Sequence, residues 1–174
     1  MSLHIPKSLL QLEANCGVFA VWLIIKNYQT HIDIADLISL CGHDQQEGTF
    51  TIALAVALKK LGFEVALYTD PDPNISEKEQ QYYVDAKHLQ IPVQTALSYV
   101  EIQRAFEAGH FVIVFYDTLQ CVGNQSLIYE IDGQYISFCD HFEVMTKAEF
   151  EMQRQAEGIC RQVIVVQQPD IYPI

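Results

Sequence analysis

The sequence is poor in positive charge. It sets 10 Lys and Arg against 22 Asp and Glu, for a formal net charge of −12. A surface built to hold nucleic acid or anionic lipid needs the opposite balance, so neither is an expected partner. Long apolar runs are missing too. The strongest spans residues 19–25 and is closed by Lys26, far below the roughly 20 residues that cross a bilayer. No membrane insertion is expected, and the first residues lack the layout of a secretory signal. The five cysteines (Cys16, Cys41, Cys121, Cys139 and Cys160) fall at irregular spacing with no Cys-x-x-Cys pair. Zinc ligation has no support in that pattern, nothing in it demands a disulfide, and a reduced, cytoplasmic setting fits it. Transit through a secretion system is compatible with the same pattern. There is no phosphate-cradling glycine loop and no obvious pair of metal carboxylates, so no cofactor or metal is expected. Repeats and low-complexity linkers are absent as well. The expectation is one domain over residues 1–174, half apolar and long enough for one packed core.

What is present falls into a helical half and a β-rich half. Residues 1–10 read as an irregular lead-in. A mostly buried helix runs from about Cys16 to Tyr28. A short second helix carries Ile34, Leu37 and Ile38 and stops at Cys41-Gly42. After the polar loop 42–48, a third helix opens near Thr49 or Thr51 and ends at Gly62. Residues 63–68 read as a strand, 70–74 as a turn, 76–90 as a helix, and 91–93 as extended. Ser98 and Glu101 form a capping box that opens a helix terminated by Gly109. The rest turns to strands at 111–116, 126–131, 135–139 and 162–166, with a tight Asp132-Gly133 hairpin turn and a short helix at 147–156. Helices first and an antiparallel sheet second make an α+β layout.

The chemistry concentrates at Asn15-Cys16-Gly17, at the mouth of the first long helix. A thiol there meets unsatisfied backbone N–H groups and the positive end of the helix dipole. Both favour the thiolate, which is the nucleophilic form. Gln11, just upstream, offers an amide for an oxyanion hole. The segment lacks a base of its own.

From Gln11 to Gly17 the chain resembles the Gln-x-x-x-x-(Asp/Glu)-Cys-Gly opening of papain-like cysteine peptidases of the bacteriocin-processing, double-glycine leader type. Asp36-Leu37, Glu47-Gly48-Thr49 and Lys60 to Phe63 are similar to that family's second and third helices, and Asp132-Gly133 through Asp140 to its last hairpin. Residues 109–121 and 150–166 also resemble a guanylyl-cyclase-like branch of the superfamily. The resemblance implies a papain-like fold, an N-terminal helical lobe packed on a C-terminal antiparallel sheet, with a peptide or protein partner in the cleft between them. It implies Cys16 as nucleophile, Gln11 as oxyanion donor and Asp140 as the carboxylate that orients a histidine. The substrate would be a peptide bond or another amide or acyl group.

The sequence departs from the family twice. Gln11 stands five residues before Cys16, where the family usually has six. Sixteen residues before Asp140, where the family carries its histidine, stands Asn124. The substitute bases are His110, which opens a His-Phe-Val run one strand too early, and His141, where the family often has proline. Losing general-base help typically costs a factor of about 10²–10⁴ in rate. Two expectations follow: a cysteine peptidase acting through Cys16, or a catalytically inactive papain-like module that binds peptides or regulates.

Overall fold

The computed structural model describes residues 5–28, 31–118, 122–141 and 144–167. Cys121 and His4 lie outside the described residues. The stretch read as an irregular lead-in contains one helical turn, α1 (Lys7–Leu10), in which the Leu9 and Leu10 N–H groups donate to the Pro6 carbonyl. Three helices follow: α2 (Cys16–Asn27), α3 (Ile34–Leu40) and α4 (Thr51–Lys60). Apolar residues go all the way round α2 and α4 because both are enclosed; residues 51–58 of α4 are all buried. α3 is polar on one side and starts at Asp33, whose carboxylate accepts the Ala35 N–H at 2.8 Å.

The strands are β1 (Glu64–Thr69), β2 (Val93–Thr95), β3 (Phe111–Asp117), β4 (Gly123–Ile131), β5 (Tyr135–Phe138), β6 (Val144–Thr146) and β7 (Val163–Gln167). They form one seven-stranded sheet in the order β2-β1-β7-β3-β4-β5-β6. The sheet is antiparallel except for β1 and β2, which pair in parallel because α5 (Glu77–His88) carries the chain back across. That parallel pair was not expected from the sequence, and neither was the three-residue edge strand β6. The hairpin at Asp132-Gly133 is present, but its turn is held by the Asp132 carboxylate, which accepts the N–H groups of Gln134 and Tyr135 at 2.7 and 2.8 Å.

Helices cover both faces of the sheet. α2, α3 and α4 pack on Leu67, Ile113, Leu127, Ile164 and Val166. α6 (Tyr99–Glu107) and α7 (Lys147–Arg154) bring Tyr99, Ile102 and Phe150 onto Val112, Val114, Ile128, Val163 and Val165. The alternation is plain in β7, where Ile164 and Val166 face one layer and Val163 and Val165 the other. The β3–β4 register sets Tyr116 opposite Asn124 and Phe115 opposite Gln125. Asn124 therefore looks toward the α6–α7 side, and Gln125 toward the lobe that carries Cys16.

Candidate functional site

Cys16 is the first residue of α2. The chain reaches it through Ala14, held at φ 48, and Asn15, whose amide donates to the Leu9 carbonyl at 2.7 Å. His43 Nε2 lies 2.8 Å from the Glu13 carbonyl, tying the loop after α3 to the same segment. The glycine after the cysteine has a packing reason. A Cβ on Gly17 would overlap Thr49 Oγ1 and Gln125 Oε1 and come within 2.9 Å of Leu54 Cδ1. Only glycine lets α2 approach β4 and the start of α4 this closely.

Gln125 joins the two sides of the site. Its buried side chain accepts the Thr49 hydroxyl at 2.7 Å and donates to the Thr49 carbonyl at 2.9 Å and the Thr51 hydroxyl at 3.0 Å. Three hydrogen bonds tie it to the helical lobe, so it works as a staple between sheet and helices. The same residue's backbone N–H points at the Cys16 sulfur, 3.5 Å away.

The N–H groups of Gln125, Gly17 and Cys16 itself all favour the thiolate, as expected for a helix start. Burial outweighs them. It pushes the Cys16 thiol above its ordinary value, and the negative charge of Asp140 pushes the same way. The expectation of a thiol depressed by its helix start is therefore corrected: desolvation wins because the sulfur is tucked between α2 and β4.

Asn124 sits in β4 immediately beside this point. Its amide nitrogen lies 2.8 Å from Tyr116 Oη, 3.0 Å from Ser126 Oγ and 3.3 Å from Asp140 Oδ2. Ser126 donates to the same Asp140 oxygen at 2.8 Å. Asp140 lies two residues beyond the end of β5, and the pairing of β5 with β4 brings it to Asn124 and Ser126. Tyr116 Oη is the hub of the network, 3.2 Å from Ser126 Oγ and 2.9 Å from His141 Nε2. Burial pushes the Tyr116 phenol up to about 12, with smaller contributions from neighbouring groups, so it stays protonated at neutral pH.

Neither histidine reaches the sulfur. His141 bonds through Nε2 to Tyr116, with its ring 5.2 Å from that of Phe138 and its Nδ1 buried without a partner among the described residues. His110 opens the far end of β3, six residues from Tyr116, or about 20 Å along an extended strand. It lines a different hollow with Phe106, Tyr129 and Cys139. Among the described residues, no imidazole is within hydrogen-bonding distance of Cys16 Sγ. Gln11 caps the C-terminal end of α1 with its side chain exposed and does not line the cleft. Gln125, Tyr116 and Ser126 did not stand out in the sequence. The polar run Asn124-Gln125-Ser126 in an apolar neighbourhood was the available signal, but the strand read from the sequence starts at residue 126 and leaves Asn124 and Gln125 outside it.

The cleft beside Cys16 holds about 420 Å³ and is walled by Glu47, Thr49, Phe115, Val122 and Asn124. Glu47 is the one charged side chain lining it among the described residues. The wall on the helical side is a tight loop in which Asp44 and Gly48 exchange backbone hydrogen bonds at 2.7 and 2.8 Å, and the Asp44 carboxylate accepts the N–H groups of Gln46 and Glu47. Lys78 stands 3.6 Å from both Asp44 and Glu47. Among the described residues no group of three His, Cys, Asp or Glu is placed to hold a metal ion, and no helix is long and apolar enough to cross a membrane.

Comparison with known proteins gives two matches. The sequence model of the peptidase C39 family matches residues 7–122, a stretch that includes Gln11, Cys16 and His110 and ends just before Asn124. The fold is similar to the peptidase domain of Streptococcus ComA, described as a bi-functional ABC transporter involved in a quorum-sensing pathway. The TM-score is 0.51 at 18% identity, covering 88% of this chain and 91% of that one. No curated protein matches.

Proposed function

The chain belongs to the peptidase C39 family, and from that premise we propose that it binds peptides in the Cys16 cleft without cleaving them. The observation that carries this reading is Asn124. It lines the same cleft as Cys16, donates to Asp140 where an orienting partner's imidazole would, and is a carboxamide with no titratable proton.

Peptide cleavage by a thiol needs two proton movements. The thiol must lose its proton before sulfur attacks the carbonyl carbon, and the leaving amine must gain one as the C–N bond breaks. An imidazole does both. A carboxamide does neither, and a thiol already raised by burial keeps the nucleophile protonated at neutral pH. The missing acid–base help corresponds to about 3–5 kcal/mol of barrier. His141 does not take over from where it stands, because its Nε2 is bonded to Tyr116 Oη and makes no hydrogen bond to the sulfur.

What remains is a cleft with a backbone donor at the start of α2 and a wall on β4 fixed by Gln125. In this reading residues 1–174 act as one domain in a reducing, cytoplasmic setting, and Cys16, Cys41, Cys139 and Cys160 are free thiols. The test is to incubate the protein with a mixed digest of peptides and search for new termini by mass spectrometry. The expected result is no cleavage beyond that of a Cys16→Ala variant. Cleavage that disappears with Cys16→Ala overturns the reading.

A further inference from the structure

The orientation of the Asn124 amide is fixed by chemistry. An ionised carboxylate only accepts hydrogen bonds, and Ser126 gives its one hydroxyl hydrogen to Asp140 Oδ2. The group that Asn124 turns toward Asp140, Ser126 and Tyr116 must therefore be its NH2. The amide is planar, so its oxygen points away from that network. Asn124 Oδ1 has no partner among the described residues and is not among the buried polar atoms, while Asn124 itself lines the cleft. An acceptor held rigidly by its own NH2 group is thus left for whatever occupies the cleft.

The same cleft is lined by Cys16, whose N–H belongs to the first turn of α2 and has no carbonyl four residues behind it within the helix. The helix start brings a donor to the cleft and Asn124 brings one fixed acceptor. A secondary amide has the matching pair, a C=O on one side and an N–H on the other.

We propose that Asn124 Oδ1 is the specificity-determining acceptor of this cleft, reading the N–H of an intact peptide unit laid across Cys16. This rests on the reading of the cleft as a peptide site that does not cleave, and it adds the ligand class: secondary amides. Esters and N-substituted amides have no N–H to offer and are refused. The same substitution that removes the base turns the site from one that would protonate the amide nitrogen into one that accepts its hydrogen. It holds the bond in its stable form.

The test uses the full ¹⁵N-labelled chain and two probes, acetyl-triglycine amide and acetyl-trisarcosine amide, which differ in N–H against N–CH3. Chemical shifts of the Gly17 and Gln125 backbone amides report binding. Saturable shifts are expected with the triglycine probe, and binding about tenfold or more weaker with the sarcosine probe. Asn124→Leu is expected to bring the triglycine probe down to the sarcosine level. Because the probe pair is compared on the unaltered chain, the result does not depend on the variant folding. Equal binding of both probes, no saturable shift with triglycine, or discrimination retained in Asn124→Leu each overturns the proposal. Hydrolysis of the triglycine probe by the unaltered chain overturns the non-cleaving reading instead, and leaves the probe comparison to decide the role of Asn124.

Discussion

The hydrogen bond from the Asn124 amide to Asp140, at 3.3 Å, is the contact on which the chemistry of the site turns. Replacing Asn124 by His puts an imidazole beside the Asp140 carboxylate in the cleft that Cys16 lines, the constellation that can stabilise a thiolate–imidazolium pair. The expected outcome for Asn124→His is alkylation of Cys16 at least about tenfold faster at neutral pH, read by site-resolved mass spectrometry. An unchanged rate in a folded variant would show that the rest of the site is not built to activate the thiol. This residue was legible: counting back from Asp140 landed on it, and strand pairing explains why the count works. The Cys16-Gly17 pair was legible too, although the reason for Gly17 was not. A sequence does not show that Thr49 and Gln125 converge on the missing Cβ. Nor did it show the rise in the thiol pKa, because the helix start is a local feature while burial depends on a strand more than a hundred residues away.

Helix boundaries at the element scale came from side-chain chemistry that the sequence displays openly. The capping box at Ser98 and Glu101 forms as expected, with the Glu101 carboxylate accepting both the backbone N–H and the hydroxyl of Ser98 at 2.7 Å. A second box at Thr146 and Glu149 opens α7 in the same way. Pairing between distant strands was less visible. β2 has three exposed residues with no apolar alternation, so nothing local marks it as a parallel partner of β1. The link that matters most for function is the one from β4 to α4 through Gln125. Gln125→Leu keeps the volume but leaves the Thr49 carbonyl and the Thr51 hydroxyl without their buried partner. It is expected to lower stability by about 1–3 kcal/mol in urea unfolding. It should also make Cys16 more accessible to alkylating reagents, since the staple that holds β4, beside Cys16, against the start of α4 is gone. A loss of stability with no change in Cys16 accessibility would mean that Gln125 stabilises the fold without shaping the cleft.

Taken whole, the molecule buries protons as well as apolar surface. Burial pushes the Cys41 thiol up to about 12 from 9.0, and burial with nearby charges pushes the Tyr99 and Tyr116 phenols up to about 12 from 10.0. Groups whose pKa is raised on folding contribute stability that is fully present below their unfolded values and is lost as pH rises toward the folded ones. Thermal unfolding is therefore expected to be steady up to about pH 8 and to shift to lower temperature above about pH 9. An unfolding temperature unchanged at pH 10 would contradict the burial of these groups. The α+β class, with helices leading into a sheet, was readable from hydrophobic periodicity. The placement of α6 and α7 on the opposite face was not, because amphipathic helices do not declare which side of a sheet they cover. Whether Cys16 has a proton acceptor is read most directly from its rate of alkylation by iodoacetamide across pH, resolved from the other cysteines by mass spectrometry. A thiol with no base and raised by burial gives a single rise centred above pH 9.0. A rate already on a plateau near pH 6–7, the mark of a thiolate paired with an imidazolium, would contradict the account.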